Sequence, residues 1–104
     1  MSPIAIVESV LEKRAQSLLG DALFNFVRQM DRPDLNLADK DVDFAEFFDE
    51  LQDIVLFSAE VCFQELNNGR QPPRQLKAVV SGSARRHGDR WDIGAVDVND
   101  VIIS

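Results

Sequence analysis

No nucleophile and base form a recognisable catalytic pattern in the sequence, although Asp89 and Asp92 lie close to the one histidine. His87 is the single histidine and Cys62 the single cysteine. A catalytic histidine needs a nucleophile or a carboxylate beside it, and the Ser81-Gly82-Ser83 segment lacks the strand–turn–helix pattern that surrounds a nucleophilic serine. Cys62 falls among apolar residues, which favours a small core residue over a reactive thiolate. We therefore predict that the protein is not an enzyme.

Two clusters of oxygen-bearing side chains, Asp39–Asp43 and Asp97–Asp100, have the composition of a metal-binding loop. A calcium loop needs ligands at alternate positions, a central glycine and a distal glutamate, and neither cluster contains the glycine. One cysteine and one histidine also fall short of the three or four ligands that zinc requires. We expect neither a metal nor an organic cofactor.

Charge is distributed in blocks along the chain. The formal net charge of the 104 residues is −7. Residues 31–60 contain ten acids and two bases, whereas residues 70–90 contain six bases and one acid. Binding to duplex nucleic acid is driven largely by cations that displace counterions from phosphates, so we expect no direct nucleic-acid binding. An acidic surface attracts basic protein partners and speeds their association.

The charge blocks define two candidate binding sites. The acidic site is predicted to meet a basic surface of a protein partner, with Phe44, Phe47 and Phe48 as apolar anchors; it consists of Asp39, Asp41, Glu46, Asp49, Glu50 and Asp53. The alternative is an anion site for a small ligand or nucleotide on a basic turn, formed by Arg85, Arg86, His87 and Arg90. The same arginines could instead neutralise the acidic segment.

The elements that position these sites predict an α+β fold. One domain, residues 1–104, is expected to contain two long antiparallel helices (helical part 3–69) followed by a C-terminal β-hairpin (β part 75–104). Apolar residues at spacings of three and four predict the first helix from about Ile4 to Met30, with Ser2 as its N-cap and Pro3 in its first turn. Gly20-Asp21 is a weak point where the helix could break.

The second helix is predicted to begin at Asp43-Phe44-Ala45-Glu46, which has the spacing of a capping box, and to end near Asn68-Gly69. Residues 54–63 of this helix would be apolar on nearly every side. Leu56, Phe57 and Phe63 lie off the main apolar stripe and are therefore predicted to form an oligomer interface. The simplest such assembly is a homodimer with twofold symmetry.

The period of the sequence changes after Pro73. Leu76–Ala84 and Arg90–Val98 read as two strands joined by a turn at Gly88. Val101–Ile103 is either a third short strand or an apolar tail that docks on the helices. A two-stranded hairpin is only marginally stable alone, so these strands are expected to pack on the helices or on another chain.

These features favour a small, acidic, non-enzymatic interaction protein that occludes a basic site on a protein partner. Immunity proteins, antitoxins and phage-encoded inhibitors share this profile by analogy. The alternatives are a small-ligand or nucleotide-binding oligomer that uses the basic turn, and a structural or assembly subunit. We expect a cytoplasmic protein without membrane contact, because no secretory signal, disulfide pair or bilayer-length apolar run is evident.

Overall fold

Four long antiparallel strands, and not two long helices, make up most of the molecule. The computed structural model describes residues 2–30, 34–66 and 73–104. Three short helices precede the strands: α1 (Pro3–Lys13), α2 (Ala15–Gly20) and α3 (Phe24–Val27). The strands follow in chain order: β1 (Leu35–Phe47), β2 (Ile54–Glu65), β3 (Gln75–His87) and β4 (Arg90–Ile103). The predicted pair of long helices with a C-terminal hairpin is therefore wrong.

The N-terminal helical region follows its sequence signals closely. The Ser2 hydroxyl accepts the Ala5 N–H at 3.2 Å, and Pro3 occupies the first helical position, which confirms the predicted cap. The region is divided at Arg14 and again after Gly20, where the expected break occurs. Val7 and Leu11 of α1 are fully buried, because this face of the helix lies against the sheet.

Each strand pairs with its neighbour in sequence, so the sheet has the order β1-β2-β3-β4 with β1 and β4 at its edges. Helix α1 contacts β2 and both edge strands, so the sheet curls around the helix. The core lies between this inner face of the sheet and the helices. Its largest fully buried side chains are Phe63, Leu11, Leu23, Leu76, Val7, Val55, Val61 and Val80.

Residues 54–65, predicted as the middle of the second helix, form β2. Burial alternates along this strand with the period of two that a strand requires. Successive inner-face residues from Val55 to Phe63 are buried, and the residues between them face outward. An almost continuous apolar run of this length is compatible with either a helix or a strand, and its β-branched and aromatic residues favour the strand. The predicted helix end at Asn68-Gly69 lies outside the described residues.

Strand β1 lacks a simple alternation because its pairing with β2 shifts twice, between Leu37 and Asp39 and between Val42 and Phe44. Each bulge inserts one extra residue into the strand and thereby moves the following side chains to the other face. Apolar residues that share the inner face are consequently two or three positions apart, which imitates a helical spacing. The Asp43–Glu46 capping box is part of this strand, and no helix begins there.

The three residues proposed for the oligomer interface lie on opposite faces of β2. Phe57 and Phe63 are buried in the core, and Leu56 is half-buried on the other face. In a helix these apolar side chains would have been exposed. In the strand they are distributed over both faces of the sheet, because alternate residues of a strand point in opposite directions. Phe57 and Phe63 are buried within the monomer and so cannot form the predicted interface. The homodimer itself stays a prediction.

The C-terminal hairpin is longer than its sequence pattern predicted. Gly88 adopts a positive φ of 64° in the two-residue turn between β3 and β4. Val101–Ile103 continues β4 and forms no separate strand. Gly82 lies where β4 departs from regular pairing, and a Cβ atom there would overlap the Ala95 carbonyl oxygen.

Candidate functional site

The face of the sheet that points away from α1, here called the outer face, carries half of the predicted acidic site. Cross-strand pairing assigns residues to this face, because directly opposed residues project on the same side. Its members on β1 and β2 are Asp39, Asp41, Phe44, Glu46, Leu56, Ser58, Glu60 and Cys62. Its members on β3 and β4 are Lys77, Val79, Ser81, Asp97, Asp100 and Ile102. The outer face is therefore rich in carboxylates.

One line of residues runs across all four strands and carries three carboxylates. Asp41 pairs with Glu60, Glu60 with Val79, and Val79 with Asp100. We call Asp41, Glu60 and Asp100 the acidic row. All three side chains are exposed. Like charges that face each other directly across two strands destabilise a sheet, so the Asp41–Glu60 pair opposes folding.

Cations do little to neutralise the acidic row. The three ion pairs of the described residues are Arg14–Asp92, Lys40–Glu12 and Arg86–Asp53, and none includes a member of the row. Lys77 is the nearest outer-face base along β3, two residues from Val79, and it lies between Cys62 and Ile102. The outer face therefore keeps a net negative charge.

Apolar side chains stand among these carboxylates. Phe44 on β1 is 46% exposed and Ile102 on β4 is 57% exposed. Leu56 and Val79 are half-buried on the strands between them. Exposed apolar residues surrounded by charged groups are typical of protein-binding surfaces, in which a few anchors are desolvated within a polar rim.

The structure divides the predicted acidic site into two parts. Asp39, Asp41 and Glu46 lie on the outer face of β1, whereas Asp49, Glu50 and Asp53 lie in the loop between β1 and β2. An Asp49 carboxylate oxygen accepts the Asp53 N–H at 2.9 Å, which closes the loop. The Asp53 carboxylate in turn accepts bonds from Arg86, so Asp49 and Asp53 both have structural contacts. Glu50 is exposed at the tip of the loop.

The alternative anion site is only partly assembled. Arg85, Arg86 and His87 line an open cleft of about 560 Å³ together with Asp49 and Asp53. Arg86 donates to Asp53 Oδ1 from Nε at 2.9 Å and lies 2.6 Å from it through Nη2. One of the proposed anion-binding arginines is therefore already neutralised by a residue of the acidic segment.

Arg90, the fourth residue of the predicted anion site, does not line that cleft. It lines a separate one of about 320 Å³ beside α1, together with Lys13, Asp89 and Trp91. The turn between β3 and β4 thus directs its basic side chains to two places, and a single four-residue anion site is not formed.

The remaining candidate residues for chemistry stay apart. His87 is exposed near the tip of the β3–β4 hairpin, and Cys62 is half-buried on the outer face and not in the core. The Ser81 hydroxyl accepts a bond from the Asn99 amide at 3.1 Å. Across residues 2–30, 34–66 and 73–104, no group of three His, Cys, Asp or Glu side chains is placed to hold a metal ion.

Sequence reasoning did not find a cleft of about 500 Å³ between the helical region and β4. Arg14 at the junction of α1 and α2 reaches Asp92 on β4, with 2.7 Å between Arg14 Nη2 and Asp92 Oδ1. Both residues line the cleft, with Ser17 and Asp21 opposite Ile93 and the adjacent bulge of β4. The ion pair joins the helices to the first half of the edge strand.

Sequence reasoning also missed Glu60 and Asp100 as parts of the acidic surface. Glu60 was placed on a helix, and Asp100 was considered only as a metal ligand. Period-two alternation over 54–65 is the signal that would have found Glu60, because it separates the outward series Leu56, Ser58, Glu60 and Cys62 from the buried series. Asp100 needs the register of four strands and has no comparable local signal.

Comparison with known proteins adds no identification. No protein-family model, no curated protein and no solved structure matches the chain. None of the helices in the described ranges combines the length and the apolar character needed to cross a membrane. The site must therefore be interpreted from its own chemistry.

Proposed function

We propose that this chain is a small non-enzymatic interaction protein of the inhibitor, immunity or antitoxin kind, which works in the cytoplasm. It binds a basic surface of a protein partner through the outer face of its sheet and thereby occludes that surface. The acidic row of Asp41, Glu60 and Asp100 lies at the centre of the contact, with Asp39, Glu46 and Asp97 around it.

The direct opposition of Asp41 and Glu60 is the observation that carries this proposal. A sheet gains no stability from two facing carboxylates, and a residue of either charge sign or none could occupy an exposed strand position. A partner that places Lys or Arg side chains over the pair would remove the repulsion. The folded protein thus holds electrostatic free energy that only a cationic partner releases.

The arrangement of charges and apolar groups suggests how such a contact forms. Carboxylates on one face of the molecule attract a basic partner at long range and raise the association rate. Phe44 and Ile102, at opposite edges of the same face, then provide apolar area that is desolvated on contact. Charge gives speed and orientation, and the apolar side chains lengthen the lifetime of the complex.

Reversal of the acidic row tests the proposal. The triple variant Asp41→Lys, Glu60→Lys, Asp100→Lys changes three exposed positions without touching the core. Its matched control is Glu8→Lys, Asp21→Lys, Asp89→Lys, which makes the same change in net charge at exposed positions on the helical region and the β3–β4 turn. Each form is immobilised, and proteins retained from a lysate of the source cells are quantified by mass spectrometry at increasing salt.

We expect one basic protein to be retained by the wild type and by the control triple, to be lost from the acidic-row triple, and to be released as salt rises. Retention of the same protein by the acidic-row triple would contradict the proposal. Equal loss from both triples would show that net charge matters and the outer face does not.

A further inference from the structure

The two edges of the sheet differ in how their backbone groups are covered. An edge strand presents a row of unpaired N–H and C=O groups that another strand can bind. On β1, the Gln16 amide donates to the Leu35 carbonyl oxygen at 3.3 Å, and Asp39 Oδ1 accepts the Lys40 N–H at 2.8 Å. These side chains occupy backbone groups of the β1 edge. Each edge strand also contains two bulges, and one of those in β4 lies at Asn99.

The last residues of β4 direct backbone groups into an open edge. Gln75 and Ser104 exchange both backbone hydrogen bonds at 2.9 Å, so they form a hydrogen-bonded pair. Such pairs alternate with non-bonded pairs in antiparallel strands. Ile102 is therefore bonded to β3, whereas Val101 and Ile103 turn their N–H and C=O groups away from β3. No other element in the described parts of the chain forms a hydrogen bond with these groups.

The helical region is joined to the first half of β4 by an ion pair and by two clefts. Arg14 is ion-paired with Asp92, and Trp91 lines a cleft with residues of α1. Val96 lines the cleft beside α2. The stretch from Asp100 to Ile103 follows the bulge at Asn99 and pairs regularly with β3, so it is the part of the edge that a further strand can extend.

The side chains around this stretch specify the chemistry of such a strand. On the outer face the edge carries Asp97 and Asp100, and Glu60 lies in the same row as Asp100. On the inner face it carries Val98, Val101 and Ile103, which are half-buried against the core. A strand paired with this edge must alternate cationic side chains on one face with apolar side chains on the other.

We propose that the second half of β4 binds an extended partner segment in which Lys or Arg alternates with β-branched or other apolar residues. The segment adds a fifth strand to the sheet, with its cations beside Asp97 and Asp100 at this edge of the outer face. This inference rests on the proposed function, because it names the conformation in which a basic partner reaches Asp100, the member of the acidic row on β4.

A second copy of the chain fits this edge less well than a basic segment. Antiparallel pairing of two β4 strands would bring the carboxylates of Asp97 and Asp100 close to the same carboxylates of the other copy. Like charges facing each other across strands are destabilising. Charge complementarity therefore selects a cationic strand.

Synthetic peptides provide the test. The probe is a short, fluorescently labelled peptide of Lys-Val repeats, with blocked ends. Its matched controls are a peptide of Glu-Val repeats and a Lys-Val peptide methylated at alternate backbone nitrogens, which keeps its charge but cannot pair along one edge. Anisotropy measured with the wild-type protein should show binding of the unmodified Lys-Val peptide. Each control should bind with an affinity at least about tenfold lower. The methylated peptide loses main-chain hydrogen bonds, and the Glu-Val peptide loses charge pairing.

Variants of the protein test the same edge from the other side. Val101→Pro removes an N–H that faces the open edge and leaves the bonds to β3 intact, a position where an edge strand tolerates proline. It should weaken binding of the Lys-Val peptide about tenfold, whereas Val101→Ile, which keeps the N–H, should bind like the wild type. Circular dichroism checks that Val101→Pro is folded, and the methylated peptide gives the answer with unmodified protein if it is not.

Several outcomes would overturn the inference. Absence of Lys-Val binding, or equal binding of the methylated peptide, would exclude strand pairing at β4. A dimer seen by sedimentation in the wild type and lost in Val101→Pro would show that a second copy occupies the edge. If the acidic-row triple loses its captured partner while backbone methylation has no effect, the proposed function stands and the fifth strand does not.

Discussion

The two faces of the sheet have opposite compositions although they are built from the same strands. On the inner face of β2, Val55, Phe57, Ala59, Val61 and Phe63 are all buried. On the outer face of the same strand, Leu56, Ser58, Glu60 and Cys62 are half-buried or exposed. The inner face removes apolar area from water and so provides most of the driving force for folding. The outer face keeps an arrangement of charge that folding does not require.

This difference separates residues that stabilise the protein from residues available for binding. Substitutions on the inner face should change stability, and substitutions on the outer face should change binding with little effect on stability.

The largest effect is expected for adjacent residues on opposite faces of β2. Phe63 is 0% exposed, so Phe63→Ala should lower the free energy of unfolding by about 3–5 kcal/mol through lost burial and a residual cavity. Cys62→Ala, its neighbour on the outer face, should cost less than about 1 kcal/mol. Urea unfolding followed by the fluorescence of Trp91 measures both. Equal losses at the two positions would mean that the outer face is also a packed interface.

A smaller loss of stability is expected at Gly82, beside a bulge in the pairing of β3 with β4. A Cβ at Gly82 would overlap the Ala95 carbonyl oxygen and lie 2.9 Å from the Val96 Cα. Gly82→Ala should therefore destabilise the protein by about 1–3 kcal/mol. Gly20→Ala is the control, because nothing lies within 4 Å of its Cβ position, and it should stabilise by about 0.5–1 kcal/mol. Thermal unfolding of the two variants should shift in opposite directions.

A gain in stability is expected when the acidic row is interrupted. Glu60→Lys replaces the repulsion across from Asp41 with attraction and should stabilise the protein by about 0.2–1 kcal/mol. The gain should shrink as salt is added. Asp21→Lys, with the same change of charge at an exposed position after α2, is the comparison. If Glu60→Lys lowers stability, the two carboxylates do not repel each other in the folded protein.

The smallest effect on stability is expected from the ion pair of Lys40. Lys40 is on β1 opposite Val61, so its side chain lies on the inner face, where it donates a hydrogen bond to Glu12 of α1. The hydrogen bond with the Glu12 carboxylate raises the pKa of Lys40 above its ordinary value of 10.5, with further electrostatic contributions from Glu12, Glu8 and Asp39. Because this pKa is raised on folding, the associated stability is present below pH 10.5 and is lost as pH rises through the folded-state pKa. NMR titration should show that Glu12→Gln lowers the pKa of Lys40.

The extent to which the sequence predicted the molecule varies along the chain. Ser2 and Pro3 correctly predicted where the helical region begins, and Gly20 correctly predicted a break in it, because caps and helix breaks depend on a few adjacent residues. Gly88 gave the β3–β4 turn for the same reason. The end of β1 from Asp43 and the whole of β2 were wrongly predicted as parts of one helix. The bulges of β1 produce a helix-like spacing, and the apolar residues on both faces of β2 hide its alternation.

The candidate site was predicted in composition but not in geometry. The acidic segment, the isolated position of His87 and the apolar residues beside the acids could all be read from the sequence. Arg86 of the basic turn pairs with Asp53 of the acidic segment, a contact between residues 33 positions apart that no local pattern indicates. Nothing local to Asp100 could have placed it in the same row as Asp41.

The sequence by itself determined the charge of each segment, the caps and turns, and the excess of apolar residues between 54 and 63. Each of these properties belongs to residues that are close in the chain. The tertiary structure alone decided which face each side chain occupies and which carboxylates stand opposite one another. A shift of one residue in strand register reverses the face of every following side chain, and register is fixed by pairing between distant segments.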